Sequence, residues 1–253
     1  FEKIKGIKLI GFTEFDQKKA KKFSKKYNVK KYKNLNEIIN LKPDFIIIAL
    51  PHSFRVKEIS LCCKNKINLI IEKPLATNLE ELEEFKYQLM NNKSNFFCCF
   101  HKRYSYLNNF LKKDIDSKKP INMHCIVYEI PLPLLHWYNW PSSKTRIVSN
   151  ACHWIDYFLF LNSYSDIEEK YIWNPTGEDF CLNLKLVNGS YFSMNLTDKG
   201  SMRLGVRDYI ELRQEDITVK MIDSSRYISE SRSKIIRRKR VNPLSAYKLM
   251  YKT

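Results

Sequence analysis

A lysine, a histidine and an aspartate in this chain have the types and settings for acid–base chemistry. Lys73 stands in Leu69-Ile70-Ile71-Glu72-Lys73-Pro74-Leu75, an apolar run that stops on an acid, a lysine and a proline. A short β-branched run with a polar stop reads as a buried parallel strand that delivers its last residues to the edge of a sheet. Ligands of open α/β sheets bind outside the carboxyl ends of the strands, so Glu72 and Lys73 fall where chemistry takes place. Pro74 cannot extend the ladder and fixes the exit of the chain. A lysine acts as a base only when burial or a neighbouring cation brings its pKa down towards neutrality. His153 needs little shift, because imidazole already titrates near neutral pH. Asp156, three residues on, lies on the same helical face and can orient the imidazole or the hydroxyl groups of a substrate. The same residues admit plainer readings. Glu72-Lys73 is also consistent with a strand end carrying two solvated charges, and His153 with Asp156 with a surface pair or half a metal site, although no third ligand is evident.

The elements that must position these groups follow a strand–helix alternation over residues 1–100. Ile7 to Phe12 reads as a short strand, Asp16 to Tyr27 as a basic amphipathic helix, and Val29 to Tyr32 as a brief extended piece. Leu35 to Leu41 is a short helix and Asp44 to Pro51 a buried strand. Ser53 caps a helix that runs to about Lys66. After the strand ending at Glu72, Thr77 or Asn78 caps a further helix with Glu80 or Glu81 as reciprocal partner. Leu79, Leu82, Phe85 and Leu89 form its apolar face, and Asn95 to Phe100 is the next strand. This order predicts a parallel, doubly wound sheet. Residues 101–253 have another texture: a helix at 104–112, a strand at 122–130 and an apolar helix at 150–161. Phe180–Leu186 and Tyr191–Leu196 form a hairpin turning at Asn188-Gly189, with a second alternating pair at 209–213 and 217–221. A last helix follows Asn242-Pro243 and carries Leu244, Tyr247 and Tyr251 on one side. This half predicts a large, mainly antiparallel sheet with helices on one face, in an α+β domain. Trp154, Tyr157, Phe158 and Phe160 read as core, and His52 and His124 as structural or exposed.

Composition narrows the classes. The 253 residues carry a formal charge of +17, with 44% apolar and 28% charged residues, an ordinary balance for a globular protein. The lysines are spread along the chain, and neither basic run, 18–26 or 232–240, interleaves aromatics with bases as a nucleic-acid platform does. No nucleic-acid partner is expected. No apolar run reaches the roughly 18–20 residues of a membrane span, and the start shows no secretory signal core. The seven cysteines include the adjacent pairs Cys62-Cys63 and Cys98-Cys99 but no Cys-x-x-Cys. They read as small buried hydrophobes in a reducing cytoplasm, with no metal site.

The order of elements and motifs resembles the Gfo/Idh/MocA oxidoreductases, the family of glucose-fructose oxidoreductase and inositol dehydrogenase. Three segments carry the likeness: Asp44-Phe-Ile-Ile-Ile-Ala-Leu-Pro51 followed by Ile71-Glu-Lys-Pro-Leu-Ala76; Phe100-His-Lys-Arg-Tyr104; and Arg146-Ile-Val-Ser-Asn-Ala-Cys-His-Trp-Ile-Asp156. The resemblance implies a Rossmann-type cofactor domain followed by a substrate and oligomerisation domain. It implies hydride transfer between nicotinamide and a hydroxyl or keto carbon of a sugar, sugar nucleotide or cyclitol. Lys73 and His153 then share the proton transfer, with Asp156 beside them. Leu50, Pro51, Glu72, Lys73 and Pro74 border the cofactor, and His101, Arg103, His136, Trp137 and Asn150 contact the substrate. Glu14 falls at the end of the family's second strand, where an acid bonds the adenine ribose and repels a 2′-phosphate, so NAD is expected over NADP. A homo-oligomer formed through the open face of the second sheet is also implied.

The chain departs from the family in two places. The opening strand and Gly-rich turn that hold the pyrophosphate are missing, since Gly6 and Gly11 are isolated. The missing strand is central in the order 3-2-1-4, so two strand edges are expected to lack partners. With no initiating methionine, this predicts an N-terminal truncation. The alternative is a catalytically inactive relative that acts by association. Ahead of His153, Ser142-Ser143-Lys144-Thr145 replaces the family's glycines, and Ser149 and Asn150 replace its acid.

Overall fold

A computed structural model describes residues 6–51, 54–92, 94–131, 136, 146–174 and 179–252. It separates into two compact units, Phe1–Cys99 and Phe100–Thr253. In the first unit, α1 (Gln17–Tyr27) begins where the Asp16 carboxylate accepts the amide hydrogens of Lys18 and Lys19, at 2.8 and 3.0 Å. It ends on Asn28 in the left-handed conformation, as helices commonly do. Then come α2 (Leu35–Ile39), β1 (Phe45–Ile48), α3 (Val56–Lys64), β2 (Asn68–Ile71), α4 (Leu79–Asn92) and β3 (Phe96–Cys98). The three strands form a parallel sheet in that order. Its core joins Ile48, Leu69 and Ile71 to Ile59, Cys62 and Cys63 of α3 and Phe85 of α4.

Local chemistry decides several details. Asn78 caps α4 by accepting the Glu81 amide hydrogen at 2.8 Å, and Glu81 reaches back to the amide and hydroxyl of Thr77 at 2.7 and 2.9 Å. Ser53 lies outside the described residues, and α3 starts at Val56 without a side-chain cap. Leu79 and Leu82, expected inward, are 70% and 43% exposed, because α4 turns Phe85 and Gln88 to the core instead. Ile7 to Phe12, expected as a strand, makes one parallel bridge, Phe12 with Lys31. The Tyr32 amide donates to the Phe12 carbonyl at 2.8 Å, and among the described residues no longer ladder forms on either side. Gly11 there answers a close approach, since a Cβ would lie 2.5 Å from the Tyr32 ring.

The second unit opens with a 3-10 turn, His101–Tyr104, and α5 (Leu107–Asp114), followed by β4 (Asn122–Tyr128). A π turn, Ile147–Ala151, runs into α6 (Cys152–Leu161). The rest comprises β5 (Ile167–Trp173), β6 (Phe180–Leu186), β7 (Tyr191–Thr197), β8 (Arg207–Gln214), β9 (Ile217–Ile222), β10 (Arg226–Glu230), β11 (Ile235–Arg240) and α7 (Ser245–Met250). Among the described residues these strands form an eight-stranded sheet in the order β11-β10-β9-β8-β4-β7-β6-β5, antiparallel except for β4 with β7. Gly189, at φ +85°, supplies the left-handed residue of the β6–β7 turn. Alternation gives the sheet two unlike faces. Met123, Cys125 and Val127 of β4 are buried with Leu111 of α5 and with Trp154 and Phe158 of α6, while His124 and Ile126 lie on the open face. β5, exposed along its whole length, β10 and the parallel β4–β7 pair did not stand out in the sequence.

Two buried carboxylates tie this unit together. Asp114, at the end of α5, accepts the hydroxyls of Tyr227 (2.9 Å) and Ser229 (2.6 Å) and both Nε and Nη2 of Arg237 (3.0 and 2.9 Å). Asp208, in β8, accepts Lys102 Nζ, Trp154 Nε1 at 3.2 Å, the Ser224 hydroxyl at 3.2 Å and the Ser224 amide at 3.0 Å. Burial pushes both carboxyls upward, but these donors prevail and hold both below the ordinary value of 3.8. A value lowered by folding contributes stability that is complete above the ordinary value and is lost as acid titrates the folded carboxylate. The stability of the chain is therefore expected to fall as pH drops below about 4, and less steeply in Asp114→Asn and Asp208→Asn; urea titrations across the acid range measure this. Lys102→Met leaves Asp208 buried without its cation and is expected to cost about 3–5 kcal/mol at neutral pH. Adding Asp208→Leu recovers much of that loss in the same assay.

Candidate functional site

In the first unit the candidate groups gather at the carboxyl ends of β1 and β2. The Glu72 amide donates to the Ile48 carbonyl at 3.0 Å, which continues the ladder one residue beyond β2, and the Cys99 amide reaches the Ile71 carbonyl at 2.9 Å. The chain then leaves the sheet through Lys73 and the buried Pro74, joined by a cis peptide bond. Glu72 and Lys73 are half-buried at this edge, and Leu50 and Pro51 follow β1 there. Arg55 completes the turn: it is 1% exposed, and its Nη1 donates to the Glu72 carbonyl. The sequence reading passed over Arg55. Its signal is an arginine opening a helix with an apolar inner face, just after a buried strand. Glu14 accepts the Asp16 amide hydrogen at 3.0 Å, which fixes its carboxylate at the approach to α1.

In the second unit the 3-10 turn is anchored residue by residue. Lys102 is drawn into the core by Asp208, and its ammonium lies 4.7 Å from the Trp154 ring centroid. The carbonyls of Lys102 and Arg103 accept the Asn108 amide group at 3.1 and 2.8 Å, and the Tyr157 hydroxyl holds Asn108 from α6 at 2.6 Å. Arg103 meets Asp156 in a two-point pair, its Nε donating to Oδ2 at 2.8 Å and its Nη2 to Oδ1. Its guanidinium also lies 5.1 Å from the Phe100 ring and 5.4 Å from the Tyr164 ring. Burial pushes the Asp156 carboxyl upward against the pull of Arg103. Arg103, expected as a substrate contact, and Asp156, expected to orient substrate hydroxyls or the imidazole, are directed at one another.

His153, one turn before Asp156 on α6, is enclosed by rings. His101 meets it edge-on at 4.6 Å and 72°, Phe100 at 6.2 Å and 90°, and Trp154 at 6.1 Å and 89°. Asn150 is buried in the π turn ahead of it. His136 is half-buried, and Trp137 lies outside the described residues. The structure therefore brings together His101, Arg103, His153 and Asp156. Asn108, Asp208 and Tyr247 were not singled out as part of this arrangement. Asp208 had a signal, a carboxylate at an inward position of the alternating strand Arg207-Asp208-Tyr209-Ile210. Among the described residues no three His, Cys, Asp or Glu side chains form a group able to hold a metal, and no helix is long and apolar enough to cross a membrane.

Residues 1–99 match the sequence profile of the Gfo/Idh/MocA family, described as an oxidoreductase family with an NAD-binding Rossmann fold. No curated protein matches the sequence. The fold of the whole chain is similar to solved structures of low identity. One is an oxidoreductase of Desulfitobacterium hafniense provisionally named as NADPH-dependent, with a TM-score of 0.83 and 14% identity over 100% of this chain and 83% of that one. Another is the UDP-N-acetylglucosamine 3-dehydrogenase GnnA of Acidithiobacillus ferrooxidans, at 0.79 and 12% over 96% and 80%. A third is the WlbA dehydrogenase of Bordetella pertussis, solved with NADH and UDP-GlcNAcA, at 0.77 and 14% over 97% and 77%. Residues 1–99 thus carry the sequence signature of the Gfo/Idh/MocA oxidoreductases, and over its whole length the chain shares the fold of these solved dehydrogenases and oxidoreductases.

Proposed function

We propose that this protein is an NAD(H)-dependent oxidoreductase acting on a hydroxyl or keto carbon of a sugar, sugar nucleotide or cyclitol. The observation that carries the reading is Lys73 at the carboxyl edge of a parallel sheet, in a unit matched by an NAD-binding oxidoreductase family. Bound NAD supplies the hydride acceptor or donor. Glu14 takes the ribose hydroxyls, and Leu50, Pro51 and the Glu72–Pro74 turn border the nicotinamide. Lys73 and His153 are the groups that move the hydroxyl proton. The Arg103–Asp156 pair holds α6 and the 3-10 turn in register beside His153. The sugar-nucleotide substrate class is supported by the name of GnnA and by the UDP-GlcNAcA with which WlbA was solved. NAD is preferred to NADP because the Glu14 carboxylate repels a 2′-phosphate. In this reading the protein works in the cytoplasm as a homo-oligomer built on the open face of the eight-stranded sheet, where Ile126 is 57% exposed.

A second reading, a protein of the same fold without turnover that acts through association, is favoured by the sequence: its six glycines nowhere form a Gly-rich phosphate-binding turn. Calorimetric titration with NAD separates the two, using this chain and one extended by any coding sequence that precedes it. Binding in the extended protein, followed by reduction of NAD with a sugar, sugar nucleotide or cyclitol, is the expected result. Lys73→Ala and His153→Ala are each expected to lower kcat by roughly a hundredfold to ten-thousandfold. Full turnover in both variants of a cofactor-binding protein would show that this mechanism is wrong. Glu14→Ser is expected to raise NADP use relative to NAD, read as the ratio of kcat/KM for the two cofactors.

A further inference from the structure

We propose that Tyr247 of α7 is a positioning residue for His153 and acts through His101. The inference deepens the reading above and rests on His153 being a proton-transfer group. The ring of Tyr247 stacks on His101 with centroids 4.4 Å apart and planes 12° from parallel. The edge of that imidazole meets His153 at 4.6 Å. Three rings in sequence therefore run from α7 to the candidate base, and His101 sits between a flat stack and an edge contact, two arrangements that aromatic rings favour.

Two observations separate this role from ordinary helix docking. The first is that α7 has other anchors: Ala246 and Met250 are 3% and 2% exposed, whereas Tyr247 is 43% exposed. Tyr247 adds little to the core, so its loss is not expected to release the helix. The second is that the backbone of the 3-10 turn is already fixed by Lys102–Asp208, Arg103–Asp156 and Asn108. Those contacts hold the backbone of the turn, and the flat stack on Tyr247 restrains the rotation of the His101 ring. A rotated His101 ring would leave or crowd the space against which His153 rests. A base misplaced by a fraction of an ångström loses rate without losing substrate affinity.

The test uses the full chain in the cofactor-binding form, with histidine rings labelled for NMR, and the variants Tyr247→Phe and Tyr247→Leu. Tyr247→Phe keeps the stack and is expected to retain the wild-type His153 ring resonances and kcat. Tyr247→Leu removes it and is expected to shift those resonances and to lower kcat by roughly tenfold or more, with the KM of the hydroxyl substrate unchanged. Thermal melting checks folding; if Tyr247→Leu melts early, Tyr247→Trp against Tyr247→His makes the same comparison with ring sizes that differ in stacking. Unmoved His153 resonances in a folded Tyr247→Leu overturn the proposal, and so does a Tyr247→Phe as damaged as Tyr247→Leu. The resonance measurement needs no turnover. A protein without activity in which Tyr247→Leu still moves His153 therefore defeats the enzymatic reading and leaves the positioning intact.

Discussion

A carboxylate buried at 7% exposure is the constraint on which the second unit depends. Asp208 sits at an inward position of β8, on the face that carries Ile210 and Leu212, and an isolated charge there would cost several kcal/mol. It is tolerated because donors converge on it from separated parts of the chain: Lys102 from the 3-10 turn, Trp154 from α6 and Ser224 from the β9–β10 turn. Satisfying this one group forces those three elements to meet. Once Lys102 is drawn inward, its neighbours His101 and Arg103 must point elsewhere, and they meet His153 and Asp156. The geometry of the candidate site is thus a consequence of a desolvation problem in the core beneath it.

Much of this architecture was legible in the sequence where a local rule and a burial rule agree. β1 and β2 are short β-branched runs, the first closed by Pro51 and the second by Glu72-Lys73-Pro74, and the β6–β7 hairpin is alternation around Asn188-Gly189. In both cases the residues that favour the local conformation also bury the correct face. The reading failed where those rules separate. β5 carries Glu168, Glu169 and Lys170 beside Tyr171 and Trp173 and is exposed on both faces, so no alternation marks it; it is a strand because β6 offers an edge to pair with. Ile7 to Phe12 has the composition of a strand, but composition supplies no partner, and one bridge is what it makes. Leu79 and Leu82 lie on the helical stripe of Phe85, yet α4 turns only part of that stripe to the core.

The candidate site shows the same division. Residue type pointed to Lys73, His153, Asp156, Arg103 and His101, because those side chains can exchange protons or hold anions. Type alone does not say whether a charged group faces a ligand or another residue of the protein. In the sequence Arg103 looks like a substrate contact and Asp156 like a group that orients a substrate hydroxyl or the imidazole; in the fold each is directed at the other, and two rings flank the guanidinium. The residues that decide this, Asn108 and Tyr157, are an ordinary asparagine and an ordinary core tyrosine until α5 and α6 are brought side by side.

Within each unit, a buried cation fixes the backbone from which a candidate base projects, although the contacts differ. In the first, Arg55 donates to the Glu72 carbonyl, and the chain turns there to present Lys73. In the second, Lys102 holds the turn that carries His101 against His153. A buried arginine or lysine is costly unless its donors are used, and used donors are directional. The cost of burial is what makes the device stiff. A solvated lysine could neutralise the same acceptors but would leave the turn free to move. Both cations are deeply buried, at 1% and 7% exposure, and neither belongs to the dense basic stretch of α1.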